Sequence, residues 1–109
     1  PEAAEVGLTN KPIQGADITC TVTGSDPQKG LGWVKRFKVT TDANGFWKCE
    51  TNITNADNWS ITASLPAGDA RKFSKVEAPG SPITAGQTVS YQSLQGLPKQ
   101  VEIRFYFKK

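Results

Sequence analysis

Hydrophobic and polar residues alternate with a period of two along most of this chain, the pattern of half-buried strands rather than of helices. Ala16, Ile18, Cys20 and Val22 share one parity, and Asp17, Thr19, Thr21 and Thr23 the other. Phe37, Val39 and Thr41 alternate with Arg36, Lys38 and Thr40; Trp47, Cys49, Thr51 and Ile53 alternate with Lys48, Glu50 and Asn52. Trp59, Ile61, Ala63 and Leu65 alternate with Ser60, Thr62 and Ser64. Near the end, Val101, Ile103, Phe105 and Phe107 face one way, while Glu102, Arg104, Tyr106 and Lys108 face the other. Val89 and Tyr91 suggest one more strand, and residues 4–8 and 72–77 short ones.

Turn formers separate these runs: residues 10–12, 24–32, 42–45, 55–58, 66–68, 79–86 and 96–98 are rich in Gly, Pro, Asn and Asp. No stretch combines helical periodicity with caps. About seven or eight short strands, each apolar on one side only, predict an all-β chain folded as an antiparallel β-sandwich. Without an internal repeat, a biased tail or a long linker, residues 1–109 are expected to form a single domain.

Composition narrows the chemistry. The 109 residues and 37% hydrophobic content suit one core, and 21% charged residues argue against wholesale disorder. The chain has no His, which excludes Ser-His-Asp and Cys-His catalysis and His-ligated metals within it. It has no Met, so the sequence is expected to be excised from a longer protein. A net charge of +3 is spread as small pairs rather than a basic stripe, so no nucleic-acid partner is expected. No apolar run approaches the ~20 residues of a membrane helix, so no membrane insertion is expected either. No cofactor is implied, and no carboxylate pair or phosphate loop has the spacing an enzyme needs.

Cys20 and Cys49 both lie on the inward parity of their runs. Two thiols alone cannot close a zinc site, which leaves a disulfide or two buried thiols. Inward cysteines in a sandwich ~10 Å thick can meet, so the disulfide is the expectation carried forward, worth roughly 3–4 kcal/mol through loop entropy. A disulfide in turn implies an oxidising, extracellular compartment, secreted or at the cell surface.

The stretch TTDANGFWKC poses its own question. Asp42 and Asn44 are spaced like the start of a calcium loop, but the six to eight oxygens of such a site have no acidic cluster nearby in sequence. Asp, Asn and Gly in this order favour a turn, so residues 42–45 are expected to be a tight hairpin corner between residues 36–41 and 47–53.

KPIQGADITCTV followed by KVTTDANGFWKC resembles the opening of a carboxypeptidase regulatory-like, or transthyretin-like, domain, and NWSITASLPAG resembles the next strand and turn of that family. TDANGFW and SITA are also similar to segments of bacterial immunoglobulin-like surface modules. The resemblance covers roughly residues 6–70, and this chain departs from it by an insertion, GSDPQKGLGW, and by its cysteine pair. It implies an Ig-like or transthyretin-like sandwich that is non-catalytic and serves as a spacer, adhesion unit or enzyme accessory, with neighbouring domains as partners.

Three tryptophans invite a carbohydrate-binding alternative, since sugar rings stack on exposed aromatic faces. Trp47 and Trp59 share parity with core residues, so core packing is the expectation for both. Trp33 follows the Gly-rich insertion and precedes Lys35, so Trp33 and Lys35 with residues 24–32 form the candidate contact surface for a polysaccharide or a protein partner. Burial at a strand entry fits Trp33 equally well. Phe46 and Tyr106 are on outward parity, as surface anchors or packed under loops. Asn52 and Asn58 each begin an N-glycosylation sequon, a pattern common by chance in Thr-rich strands. A structural or adhesion module is thus the leading expectation, a ligand-binding accessory the second, and a small secreted inhibitor or protein ligand the third.

Overall fold

The two longest alternating runs pair with each other, and the sandwich is assembled around them. The computed structural model describes residues 2–5, 11–26, 31–49, 57–78, 83–92 and 102–108. Among these, nine strands and no helix occur: β1 (Glu2–Glu5), β2 (Lys11–Pro12), β3 (Asp17–Asp26), β4 (Leu31–Thr40), β5 (Asn58–Ser64), β6 (Lys72–Glu77), β7 (Ile83–Ala85), β8 (Thr88–Gln92) and β9 (Arg104–Lys108). They form a five-stranded sheet in the order β4-β3-β5-β8-β7 and a four-stranded sheet in the order β2-β1-β9-β6. All pairings are antiparallel except one. The first strand, β1, runs parallel to the last, β9.

The period-two pattern reads directly into the packing. Ile18, Cys20 and Val22 of β3 and Ile61 and Ala63 of β5 are buried on the inner face of the larger sheet, with Val89 and Tyr91 of β8 beside them. Phe105 and Phe107 of β9 answer from the smaller sheet, both fully buried. Trp47 stands 6.2 Å from Phe105, and Phe73 meets Phe107 edge-on at 6.0 Å. The outer face of the larger sheet carries hydroxyls instead: Thr19, Thr21, Ser60, Thr62, Thr88 and Ser90 are aligned across neighbouring strands. Thr62 and Thr88 share a hydroxyl hydrogen bond of 2.8 Å. β-Branched hydroxyl residues favour the strand and keep this face wet.

Four expectations change. The segment 24–32 is not a loop: β3 and β4 continue pairing through Gly24–Trp33 and Gly32 out to Asp26 and Leu31, so the insertion lengthens a hairpin. Residues 27–30, its tip, lie outside the described residues. Beyond the corner, Trp47 is buried, Lys48 exposed and Cys49 half-buried, but Trp47–Cys49 joins no ladder. Alternation there records side-chain direction alone; residues 50–56 lie outside the described residues. β2 and β7 fall in stretches read as turns, because short edge strands need few strand-forming residues. Tyr106 keeps its outward parity between Phe105 and Phe107 but is buried there, so it is no surface anchor. Its strand is flanked on both sides, and Lys75 of β6 extends over its ring, with Nζ 4.9 Å from the centroid.

Candidate functional site

The corner after β4 is built from turn chemistry. Asp42 Oδ1 accepts the amides of Asn44 (2.8 Å) and Phe46 (3.0 Å), which commits that oxygen to the backbone. Gly45 has φ 78°, the left-handed region, and its carbonyl accepts the amide of Ala3 at 2.7 Å. A Cβ on Gly45 would overlap the carbonyl oxygen of Ala3. The corner doubles back as the sequence predicts, with a bulge after it: the Gly45 amide donates to the Asp42 carbonyl and the Asp42 amide to the Phe46 carbonyl, both at 2.9 Å, while the Gly45 carbonyl reaches the edge of β1. Among the described residues, no three His, Cys, Asp or Glu side chains gather into a metal-binding group.

Two interactions anchor this corner. Cys20 and Cys49 form a disulfide with Cα atoms 6.6 Å apart, tying β3 to the segment that follows the corner. Thr41, buried at the end of β4, accepts the Ala16 amide (2.9 Å) and donates to the Ile13 carbonyl (2.6 Å). Its own backbone pairs with Ala16 and Gly15 at 3.0 Å each. Sequence alternation placed Thr41 on the inner face but gave no sign that its hydroxyl holds residues 13–16.

The residues proposed for binding are not brought together. Trp33 is half-buried, and its indole lies over Gly24 of the neighbouring strand; a Cβ on Gly24 would overlap the ring. An aromatic laid across a glycine on an adjacent strand seals the gap left by the missing side chain. Trp33 thus takes the strand-entry role, with one face covered. Lys35 is exposed two residues on. Phe46 is 51% exposed but lies beyond the far end of β4, about 23 Å of strand from Trp33. Tyr106 is in the other sheet. Trp47 is buried and Trp59 packs 6.2 Å from Tyr91, as core residues. The Nε1 atoms of both are buried without a hydrogen-bond partner among the described residues. Asn58 is exposed at the start of β5, and Asn52 lies outside the described residues.

A shallow, open concavity lies elsewhere, lined by residues of both sheets. A cleft of about 560 Å³ is floored by Leu65, Pro66, Phe73 and Phe107 and rimmed by Ser64, Asp69, Arg71, Lys72 and Gln87. Its walls come from the end of β5, the start of β6 and the β7–β8 turn. The rim is ordered by a fork: Arg71 donates from Nε to Asp69 Oδ1 at 2.9 Å and from Nη2 to Oδ2 at 2.6 Å. The Arg71 amide also donates to Oδ1 at 2.9 Å, so the carboxylate fixes both backbone and side chain of Arg71. An apolar floor with a few oriented polar groups is the usual make-up of a ligand cleft. Nothing in the spacing of Asp69 and Arg71 distinguishes this arrangement from a surface ion pair, which is why the sequence did not single it out.

No family model, no curated protein and no solved structure matches this chain.

Proposed function

We propose that the protein is a non-catalytic structural and adhesion module, an Ig-like or transthyretin-like sandwich acting within a secreted or surface protein. The observation that carries this reading is the Cys20–Cys49 disulfide, which ties β3 to the segment that follows the corner. A covalent tie between β3 and the segment after the corner limits how far that segment can move, a property useful in a spacer. It also favours an oxidising compartment. Among the described residues, no helix is long and apolar enough to cross a membrane. Partners on this reading are neighbouring domains of a longer chain and whatever surface the protein meets. The test is peptide mapping of the natively expressed, unreduced protein, together with surface biotinylation of intact cells. A linked Cys20–Cys49 peptide and surface labelling are expected. Two free thiols in a protein shielded from label would overturn the reading.

The cleft favours a second reading, a carbohydrate- or other ligand-binding accessory module. Here Phe73 and Phe107 supply the apolar floor, and Arg71 and Gln87 the hydrogen bonds. Titration of the labelled protein with a glycan library, followed by amide shifts, tests it. Shifts clustered at Phe73, Gln87 and Phe107 that vanish in Arg71→Ala support the cleft. Shifts centred on Trp33 and Lys35 place binding on the long hairpin instead, and none with any glycan removes this reading.

A further inference from the structure

We infer that this domain is built to bear tension along the chain, with the parallel pair β1–β9 as its mechanical clamp. The inference rests on the structural-module reading, since only a domain within a load-bearing chain meets such a pull. β1 and β9 pair through Glu2–Arg104, Ala3–Phe105, Ala4–Tyr106 and Glu5–Phe107. Because the strands are parallel, chain entering at Glu2 and chain leaving at Lys108 emerge from opposite ends of the ladder. Force applied through both therefore slides one strand along the other. All ladder bonds are loaded together, whereas a pull across the strands opens them one at a time.

The surroundings of β1 oppose that slide. Ala3 turns its amide to Gly45 (2.7 Å) and its carbonyl to Ile13 (3.4 Å), away from β9. Successive residues of a strand present their backbone groups to alternate sides, so Glu2 and Ala4 turn theirs to β9. β1 is thus gripped on both edges. Gly45 itself belongs to the corner held through Cys49 to β3. On the other edge of β9, five residue pairs join it to β6. Ala3, Phe105 and Phe107 bury their side chains against the core, which keeps water from competing for the clamp. The disulfide adds a limit on extension, because the chain between Cys20 and Cys49, a separation of 29 residues, cannot stretch while the bond is intact.

Single-molecule force spectroscopy on the intact chain tests this with two handle geometries. One pulls through the two chain ends; the other pulls between position 11 and the C-terminal end, using an azide-bearing residue in place of the exposed Lys11. Lys11 pairs with Glu5, which pairs with Phe107, so the second pull acts across the strands at one end of the sheet. The end-to-end geometry is expected to need a force at least about twofold higher, since forced unfolding follows the barrier along the direction pulled. Ala4→Pro, which removes an amide facing β9, is expected to bring the end-to-end force down toward the other value. Reductant is expected to lengthen each end-to-end unfolding step by about 10 nm, the contour of the released loop at ~3.5 Å per residue. Equal forces in the two geometries would overturn the clamp and leave the compartment test untouched. An unchanged step length with reductant would remove the extension limit.

Discussion

The Thr41 hydroxyl offers the sharpest check on how the corner is held. Replacing Thr41 with Val keeps the side chain's shape and deletes only its hydrogen bonds. Two backbone groups then lose their partner: the Ala16 amide at 2.9 Å and the Ile13 carbonyl at 2.6 Å. Ala16 and Ile13 are themselves buried, so water cannot step in without opening the corner. A buried backbone group left unsatisfied costs about 1–3 kcal/mol. Allowing for the small gain from the added methyl, Thr41→Val is expected to lose about 2–4 kcal/mol. Thr41→Ser keeps the hydroxyl and loses one methyl, which costs about 1 kcal/mol. Urea unfolding followed by circular dichroism gives both values. Amide exchange gives a local readout: the Ala16 amide should lose protection in Thr41→Val but keep it in Thr41→Ser. If Val is tolerated better than Ser, the hydroxyl is not a structural tie and the reasoning fails.

Reducing Cys20–Cys49 opens a loop of 29 residues, and loop entropy predicts a loss of about 3.5 kcal/mol; a reduced protein as stable in urea as the oxidised one would contradict this. Gly24→Ala should displace the Trp33 ring at a cost of about 1–3 kcal/mol. In protein carrying 5-fluorotryptophan, one of three fluorine resonances should move toward its solvent-exposed position, and three unmoved resonances would place Trp33 elsewhere. Burial raises the Tyr91 phenol above its ordinary value of 10.0, so the folded state favours the neutral ring. Its contribution is complete below the unfolded value and is lost as pH rises from there through the folded value. Stability should therefore fall above about pH 10, and the fall should be smaller in Tyr91→Phe; identical alkaline profiles would show that Tyr91 does not drive it.

Much of the fold was legible because the inner faces of β3 and β5 are continuous. Ile18, Cys20, Val22, Ile61 and Ala63 keep strict parity, and the register between their strands follows from burying all of them at once. The inward parity of Cys20 and Cys49 likewise made the disulfide readable. What failed was local. Alternation at Trp47 and Cys49 records which way side chains point, not whether the backbone has a neighbour, so an unpaired segment looked like a strand. The Gly-rich run from Gly24 to Gly32 looked like a loop because a glycine under Trp33 is a cross-strand contact that no single segment reveals. Tyr106 is outward by parity yet buried, because parity cannot see Lys75 reaching over it. The cleft was invisible for a related reason: Phe73, Gln87 and Phe107 come from three strands or turns distant in sequence.

The long hairpin has one more consequence. β4 is an edge strand of ten residues, and its outer rim carries exposed Lys35, Arg36 and Lys38. An edge of that length is an open template for a strand of a second copy. Three positive charges facing three more across a would-be ladder make that pairing unfavourable. Cationic residues on this strand thus guard the edge against strand exchange with a second copy. Neutralising them to Thr is the change expected to make the protein self-associate, as read by sedimentation.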